Sequence, residues 1–137
     1  MSTINEILEA YAFWDDMARK KRAEQQSLRD RKTSIKIVYS DAPGGEPESM
    51  EDYVVKIEEL DQDLEEIRDE RFKAYSEIMR LAFHMKSYKQ FDVLYRRYIH
   101  RDSWRRICRD LNIKKRTAMD LHDRAIRELE RIHETRA

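Results

Sequence analysis

The sequence predicts an all-α protein, and three observations support this fold class. Apolar residues from Ile57 to Met85 recur at alternating steps of three and four residues, which is the period of a helix that buries one stripe. The two Gly and two Pro all lie between Pro43 and Pro47, so the turn residues that a β-sandwich or barrel needs are missing. Thirteen aromatic residues in a chain that is 41% charged indicate thin, packed helices rather than disorder.

The first predicted helix begins at Thr3, which forms a capping-box pattern with Glu6, and runs to about Lys32. Lys21 and Gln25 interrupt its apolar stripe. The stripe consists of Ile4, Ile7, Tyr11, Trp14, Ala18 and Leu28. Residues 34–49 contain all the Gly and Pro, and the alternating apolar residues at their start would suit a short strand. Because a single strand without a partner is unstable, we predict a loop over 34–49.

The second predicted helix begins at Ser49 and keeps the apolar periodicity for about four heptads. Its stripe consists of Ile57, Leu60, Leu64, Ile67, Arg71, Ala74, Ile78, Leu81 and Met85. Two such helices predict a long antiparallel helical hairpin, or coiled coil, over residues 1–86 that serves oligomerisation or partner binding. A purely intermolecular coiled coil is the alternative, and a hairpin that also dimerises agrees with both.

The charges are distributed unevenly although the formal net charge is zero. Residues 51–86 have 6 Lys/Arg against 11 Asp/Glu, whereas residues 87–137 have 14 against 8. An acidic middle and a basic end suggest two separate tasks, and the basic end suggests an anionic partner.

Residues 87–137 predict three further helices that form a DNA-binding domain. Ser87 precedes the first helix, and Ser103 caps a short helix that ends at Asn112, a residue type that tolerates the left-handed conformation. The last helix runs from about Lys115 to His133. A short helix, a tight turn and a second helix are typical of a helix-turn-helix unit.

The start of the last helix is suited to reading DNA bases. Lys114, Lys115, Arg116 and Thr117 are polar and mostly cationic, and Arg and Lys bond guanine edges while Thr contacts bases or the thymine methyl group. Other arginines are placed to hold phosphates on the two helices of the unit. These are Arg105, Arg106, Arg109, Arg124 and Arg127, and Lys114 in the turn before the last helix is placed to hold a phosphate as well.

The stretch from Lys89 to Leu129 resembles region four of a bacterial sigma factor. The matching phrases are Leu94-Tyr95-Arg96-Arg97-Tyr98, Ser103-Trp104-Arg105-Arg106-Ile107, Leu111-Asn112-Ile113-Lys114, Ala118-Met119-Asp120-Leu121 and Arg124-Ala125-Ile126-Arg127-Glu128-Leu129. In layout the whole chain further resembles the RinA/ArpU-like family of phage late-gene transcriptional activators. That layout is a helical N-terminal half, a loop containing Ser, Pro and Gly, an acidic heptad helix and a sigma-like end.

The resemblance implies DNA contacts residue by residue. The base contacts of sigma region four fall here on Lys115, Arg116, Thr117, Met119 and Asp120, and the hydroxyl that touches a phosphate falls on Ser103. Two departures stand out: Lys114 replaces the family's capping Ser, and Met119 replaces an Arg. The resemblance therefore does not imply a sigma-type promoter sequence.

We accordingly expect a sequence-specific DNA-binding transcriptional regulator, an activator of phage or prophage late genes, in the cytoplasm of a bacterial host cell. The expected partners are double-stranded DNA, host RNA polymerase and further copies of the chain bound through the N-terminal helices. Two alternatives are a DNA-packaging adaptor like the small terminase subunit and a protein that only binds polymerase.

The sequence shows no pattern typical of catalysis, metal binding or membrane insertion. No catalytic constellation is visible, so we expect no enzyme and no cofactor. The four His are scattered without a second ligand at metal-binding spacing, and we expect no metal. No apolar run approaches the length of a membrane span, and we expect no membrane partner. His122 and Asp123 would either contact phosphate or form part of the surface.

Overall fold

The computed structural model describes residues 2–38 and 49–136, with side chains up to Lys32 in the first range. Over these residues every regular element is a helix, which confirms the predicted all-α class. In chain order the five helices are α1 (Ile4–Val38), α2 (Met50–Ala82), α3 (Tyr88–Tyr98), α4 (Trp104–Leu111) and α5 (Lys115–Arg136).

Helix α1 is longer than predicted. It continues to Val38, so the predicted loop over 34–49 is wrong for residues 34–38, and 39–48 lie outside the described residues. The misassigned residues include several β-branched side chains, which lower helix propensity only slightly, whereas the first Pro comes at Pro43. An established helix therefore passes through them.

The predicted helix starts are confirmed by their caps. At α1 the Glu6 backbone N–H donates to Thr3 Oγ1 at 3.2 Å, and the Thr3 N–H donates back to the Glu6 carboxylate at 3.4 Å. Ser49 and Asp52 exchange the same pair of hydrogen bonds at the start of α2, each at 3.2 Å. Reciprocal bonds of this kind satisfy two backbone donors that a helix start leaves open.

The chain divides into two compact units, and each is described by itself. The first unit combines Met1–Phe13 with Arg71–Ala137. Its core is made of apolar side chains from α1, α2, α3 and α5, together with one that follows α3. They are Ile4, Ile7, Leu8, Ile78, Leu81, Ala82, Leu94, Ile99, Ala125, Leu129 and Ile132. Each large buried aliphatic side chain stabilises the fold by about 1.5–3 kcal/mol relative to its exposed state, so both ends of the chain contribute to this unit.

The second unit is Trp14–Glu70. Its buried apolar side chains are Ala18, Tyr53, Leu60, Leu64 and Ile67. Gln25, which interrupts the stripe in the sequence, is buried here, and its amide donates to the Ile57 carbonyl at 3.4 Å and to the Asp61 carboxylate. A buried polar group with such partners is compatible with the packing of this unit. The assignment of one function to 1–86 and another to 87–137 stays a prediction.

Candidate nucleic-acid interface

Helices α3, α4 and α5 pack on one another and position the residues predicted to contact DNA. Val93 of α3, Ile107 of α4 and Ala118 of α5 are all fully buried. Ala118 lies in the first turn of α5, where its small side chain allows the neighbouring backbone to approach closely. Packing of the buried Ala118 therefore holds the start of α5 in place.

Both ends of α4 have the predicted local structure. Ser103 is the N-cap, and its Oγ accepts a hydrogen bond from the Arg106 backbone N–H at 3.2 Å. Asn112 has φ 53° and ψ 51°, the left-handed conformation that the sequence predicted. The N–H of Ile113 donates to the Cys108 carbonyl at 3.0 Å, and that of Asn112 donates to the Arg109 carbonyl at 3.3 Å. This pair of bonds is a Schellman ending, and it defines the direction in which α5 leaves the turn.

The five residues predicted to contact bases lie together. Lys115, Arg116 and Thr117 are exposed in the first turn of α5, Met119 is half-buried and Asp120 is exposed. All five line one shallow surface depression. Asp123 lines the same depression, although it was not among the residues predicted to contact bases.

Residues predicted to contact phosphate are exposed as well, and several hold ion pairs. The Asp110 carboxylate lies 3.7 Å from Arg106, 3.4 Å from Arg109 and 3.7 Å from Arg96 of α3. Arg106 and Arg109 are mostly exposed, and ion pairs of such side chains contribute about 0–1 kcal/mol, so these two arginines can exchange the carboxylate for a phosphate at small cost. Arg105, Lys114 and Ser103 are also exposed.

Asp120, a predicted base contact, forms an ion pair with Arg124, a predicted phosphate contact. The Arg124 guanidinium lies 3.3 Å from the Asp120 carboxylate, one turn apart on α5. Both side chains are more than half exposed. Arg127, nearly one turn further along, is exposed too.

A cluster of aromatic and polar side chains contacts Asp123 of the depression, and sequence reasoning missed it. The Tyr98 hydroxyl lies 2.6 Å from Nε2 of His122, and Nδ1 of His122 lies 3.1 Å from the Asp123 carboxylate. The Trp104 ring meets the His122 ring edge-on at 5.3 Å between centroids, and the Arg97 guanidinium lies 4.9 Å from the Trp104 ring centroid. His122 thus takes part in a side-chain network rather than standing alone on the surface.

The protonation of Tyr98 fits this network. Burial raises the pKa of the Tyr98 hydroxyl above its ordinary value, Asp123 raises it further and Arg97 opposes the shift. The hydroxyl therefore keeps its proton at neutral pH. One neutral tautomer of His122 then satisfies both contacts: the hydroxyl donates to Nε2, and Nδ1–H donates to Asp123. No spacing rule could have found these contacts, because Tyr98 and His122 lie 24 residues apart on different helices.

The described residues show neither of two other kinds of feature, a metal-binding cluster and a membrane-spanning helix. In residues 2–38 and 49–136 no group of three His, Cys, Asp or Glu side chains is arranged to hold a metal ion. Within the same part of the chain no helix is both long enough and apolar enough to cross a membrane.

Comparison with known proteins shows the family of the chain. Residues 31–130 match the family model described as protein of unknown function (DUF1492), which covers more than half of the chain. No curated protein and no solved structure matches the chain significantly. The likenesses to sigma region four and to the RinA/ArpU-like activators stay predictions. By the extent of the match, the chain belongs to the DUF1492 family.

Proposed function

We propose that the protein is a sequence-specific DNA-binding regulator of transcription. In this proposal α4, the turn and α5 act as a helix-turn-helix, and the first turn of α5 enters a DNA major groove. One observation supports it above the others: Lys115, Arg116 and Thr117 are exposed side by side on one depression, while Ala118 directly after them is fully buried. Packing thus presents donor groups at a helix start, where recognition helices contact base edges.

The charges around the depression suit a DNA backbone. Arg105, Arg106 and Arg109 lie on α4, and Arg124 and Arg127 lie further along α5, all of them exposed. Cations on both sides of a base-reading turn would neutralise phosphates and set the register of the helix in the groove. Each phosphate contact adds about −0.9 to the slope of log affinity against log salt.

The N-terminal helices have the second task in this proposal. They form an antiparallel hairpin that sets the oligomeric state or contacts host RNA polymerase, and a dimer would read two half-sites. The Gln25 contacts with Ile57 and Asp61 support a direct pairing of α1 with α2 within the second unit. A role as activator of phage or prophage late genes rests on the family resemblance described above.

The test is selection of bound sequences from random duplex DNA with the full chain. The wild-type protein should enrich a defined motif, and Lys115→Glu/Arg116→Glu should lose it. Lys20→Glu/Arg22→Glu is the matched control, because it makes the same change in net charge at exposed positions of α1. It should keep the motif.

Other outcomes would contradict the proposal. Binding that is indifferent to Lys115 and Arg116 would refute the recognition role of α5. Absence of any motif, together with assembly into a ring of many subunits by mass measurement, would favour a DNA-packaging adaptor. Absence of DNA binding with retained capture of RNA polymerase would favour a polymerase-binding protein.

A further inference from the structure

Asp123 is one of two carboxylates, with Asp120, in a depression that also holds the cations Lys115 and Arg116. Its side chain is 58% exposed and lines the same depression as Lys115, Arg116 and Thr117. A carboxylate repels phosphates, so this position is unsuited to the DNA backbone. It is suited to the floor of a major groove, where base edges offer hydrogen-bond donors.

The Asp123 carboxylate is also held in place. His122 contacts its Oδ1 at 3.1 Å, and His122 is itself held by the Tyr98 hydroxyl at 2.6 Å and by the edge of Trp104. A side chain fixed before binding loses less conformational entropy when it meets a ligand. The His122 contact uses Oδ1, and Oδ2 remains as an acceptor. Asp120 differs in its partner, because the Arg124 guanidinium lies 3.3 Å from its carboxylate and offsets its charge.

We infer that Asp123 determines base specificity by accepting a hydrogen bond from the N4 amino group of a cytosine in the major groove. This inference rests on the proposed function. The major-groove edges of guanine and thymine present only acceptors to an acidic side chain, and adenine places the N7 acceptor beside its amino group. Among the four bases, cytosine alone offers a donor with no acceptor on its own major-groove edge.

The spacing along α5 predicts where this cytosine lies. Asp123 follows Lys115 by eight residues, which is about 12 Å along a helix axis. That length corresponds to about three or four base-pair steps along one strand. The bound motif should therefore contain a guanine read by Lys115 or Arg116 and a cytosine about three positions away. Tyr98 and His122 are positioning residues that act through Asp123.

The experiment measures binding of the full chain to duplexes that differ at this one position. Wild-type protein should prefer cytosine there by about fivefold to tenfold, the lower end of the range for a single base contact. Asp123→Asn should change the preference to adenine, because an amide bonds adenine N6 and N7 together. Asp123→Ala should bind all four bases equally there and keep the rest of the motif.

Two variants separate specificity from folding. Tyr98→Phe should lower the cytosine preference and leave the guanine preference unchanged, which a general loss of structure would not do. Glu130→Gln is the matched control, since it removes another exposed carboxylate of α5 outside the depression, and it should bind as the wild type does. Thermal unfolding verifies that each variant is folded.

The inference and the proposed function fail in different ways. If Asp123→Asn and Asp123→Ala enrich the wild-type motif while Lys115→Glu/Arg116→Glu loses it, the role of Asp123 is wrong and the proposed function stands. If the wild-type protein enriches no motif, both are overturned.

Discussion

The Tyr98 hydroxyl of α3 lies 2.6 Å from Nε2 of His122 on α5, and His122 directly precedes Asp123 of the depression that we propose for DNA. The two rings are also stacked, with centroids 5.6 Å apart. The contact links the helix before the turn unit to the helix whose start is proposed to enter the groove. It adds a polar contact between two helices that already pack on one another.

Tyr98→Phe should destabilise the protein by about 0.5–1.5 kcal/mol at neutral pH, because it removes one hydrogen bond from a half-buried site. Urea unfolding followed by circular dichroism measures this difference. Tyr88→Phe is the control, since Tyr88 is 74% exposed, and it should change nothing. Equal stability of the two variants would show that the Tyr98 contact contributes little.

The same variant should change the alkaline limb of the stability profile. Because the folded-state pKa of Tyr98 is raised, its contribution is complete below the ordinary tyrosine pKa of about 10 and is lost as pH rises through the folded-state value. Wild-type protein should therefore lose more stability above pH 10 than Tyr98→Phe does. Unfolding curves at several alkaline pH values test this, and parallel profiles would contradict it.

Lys114→Ser should stabilise α5. Lys114 directly precedes the first residue of α5 and offers no side-chain acceptor there, and its positive charge is unfavourable at a helix start. A serine at an N-cap stabilises by about 0.5–2 kcal/mol, measured by denaturant unfolding. Lys89→Ser is the control, because Lys89 lies within α3, which Ser87 already caps. A stability gain no greater than that of the control would refute the role of this cap position.

Ala118→Leu should destabilise the unit that contains α5. Ala118 is fully buried, and extra methylene groups at such a site cost about 1–3 kcal/mol through displaced neighbours. If the proposed function is right, the displaced first turn should also lose the bound motif. Met119→Leu is the control for folding, because it nearly conserves side-chain volume at the adjacent half-buried position. Unchanged stability of Ala118→Leu would show that the crossing tolerates a larger side chain.

Glu128→Gln should remove a stabilising contact in a pH-dependent way. Glu128 accepts two hydrogen bonds from Arg131, at 2.7 and 3.1 Å, and these bonds lower the pKa of the Glu128 carboxyl. A lowered folded-state pKa means that the contribution is present above the ordinary value and is lost as pH falls through the folded-state value. The thermal midpoints of wild type and variant should therefore differ at pH 7 and converge in acid. Midpoints that stay equally far apart in acid would contradict this prediction.

Much of the local structure could be predicted because its signals lie within one helical turn. The caps at Thr3, Ser49 and Ser103 depend on a hydroxyl and a backbone N–H three residues apart. The end of α4 depends on Asn112, one of the few residue types other than glycine that adopts the left-handed conformation readily. Apolar periodicity in addition predicts which face of a helix is buried.

The prediction failed where local preference is weak. The residues from 34 to 38 contain no helix breaker, and their β-branched side chains favour strands but lower helix propensity only slightly. The helix continues through them to Val38, ahead of the first proline at Pro43. Gln25 likewise appeared only as a gap in a stripe, because its partners Ile57 and Asp61 are more than thirty residues away.

By itself, then, the sequence determined that this protein is helical, where most helices begin, and which basic residues stand at the start of α5. The tertiary structure alone decided that the five predicted base-contact residues share a depression with Asp123, and that His122, which contacts Asp123, joins Tyr98 and Trp104. The reason is the range of the interactions. Caps and periodicity act between residues three or four apart, whereas this network joins side chains 18 to 24 residues apart that only packing brings together.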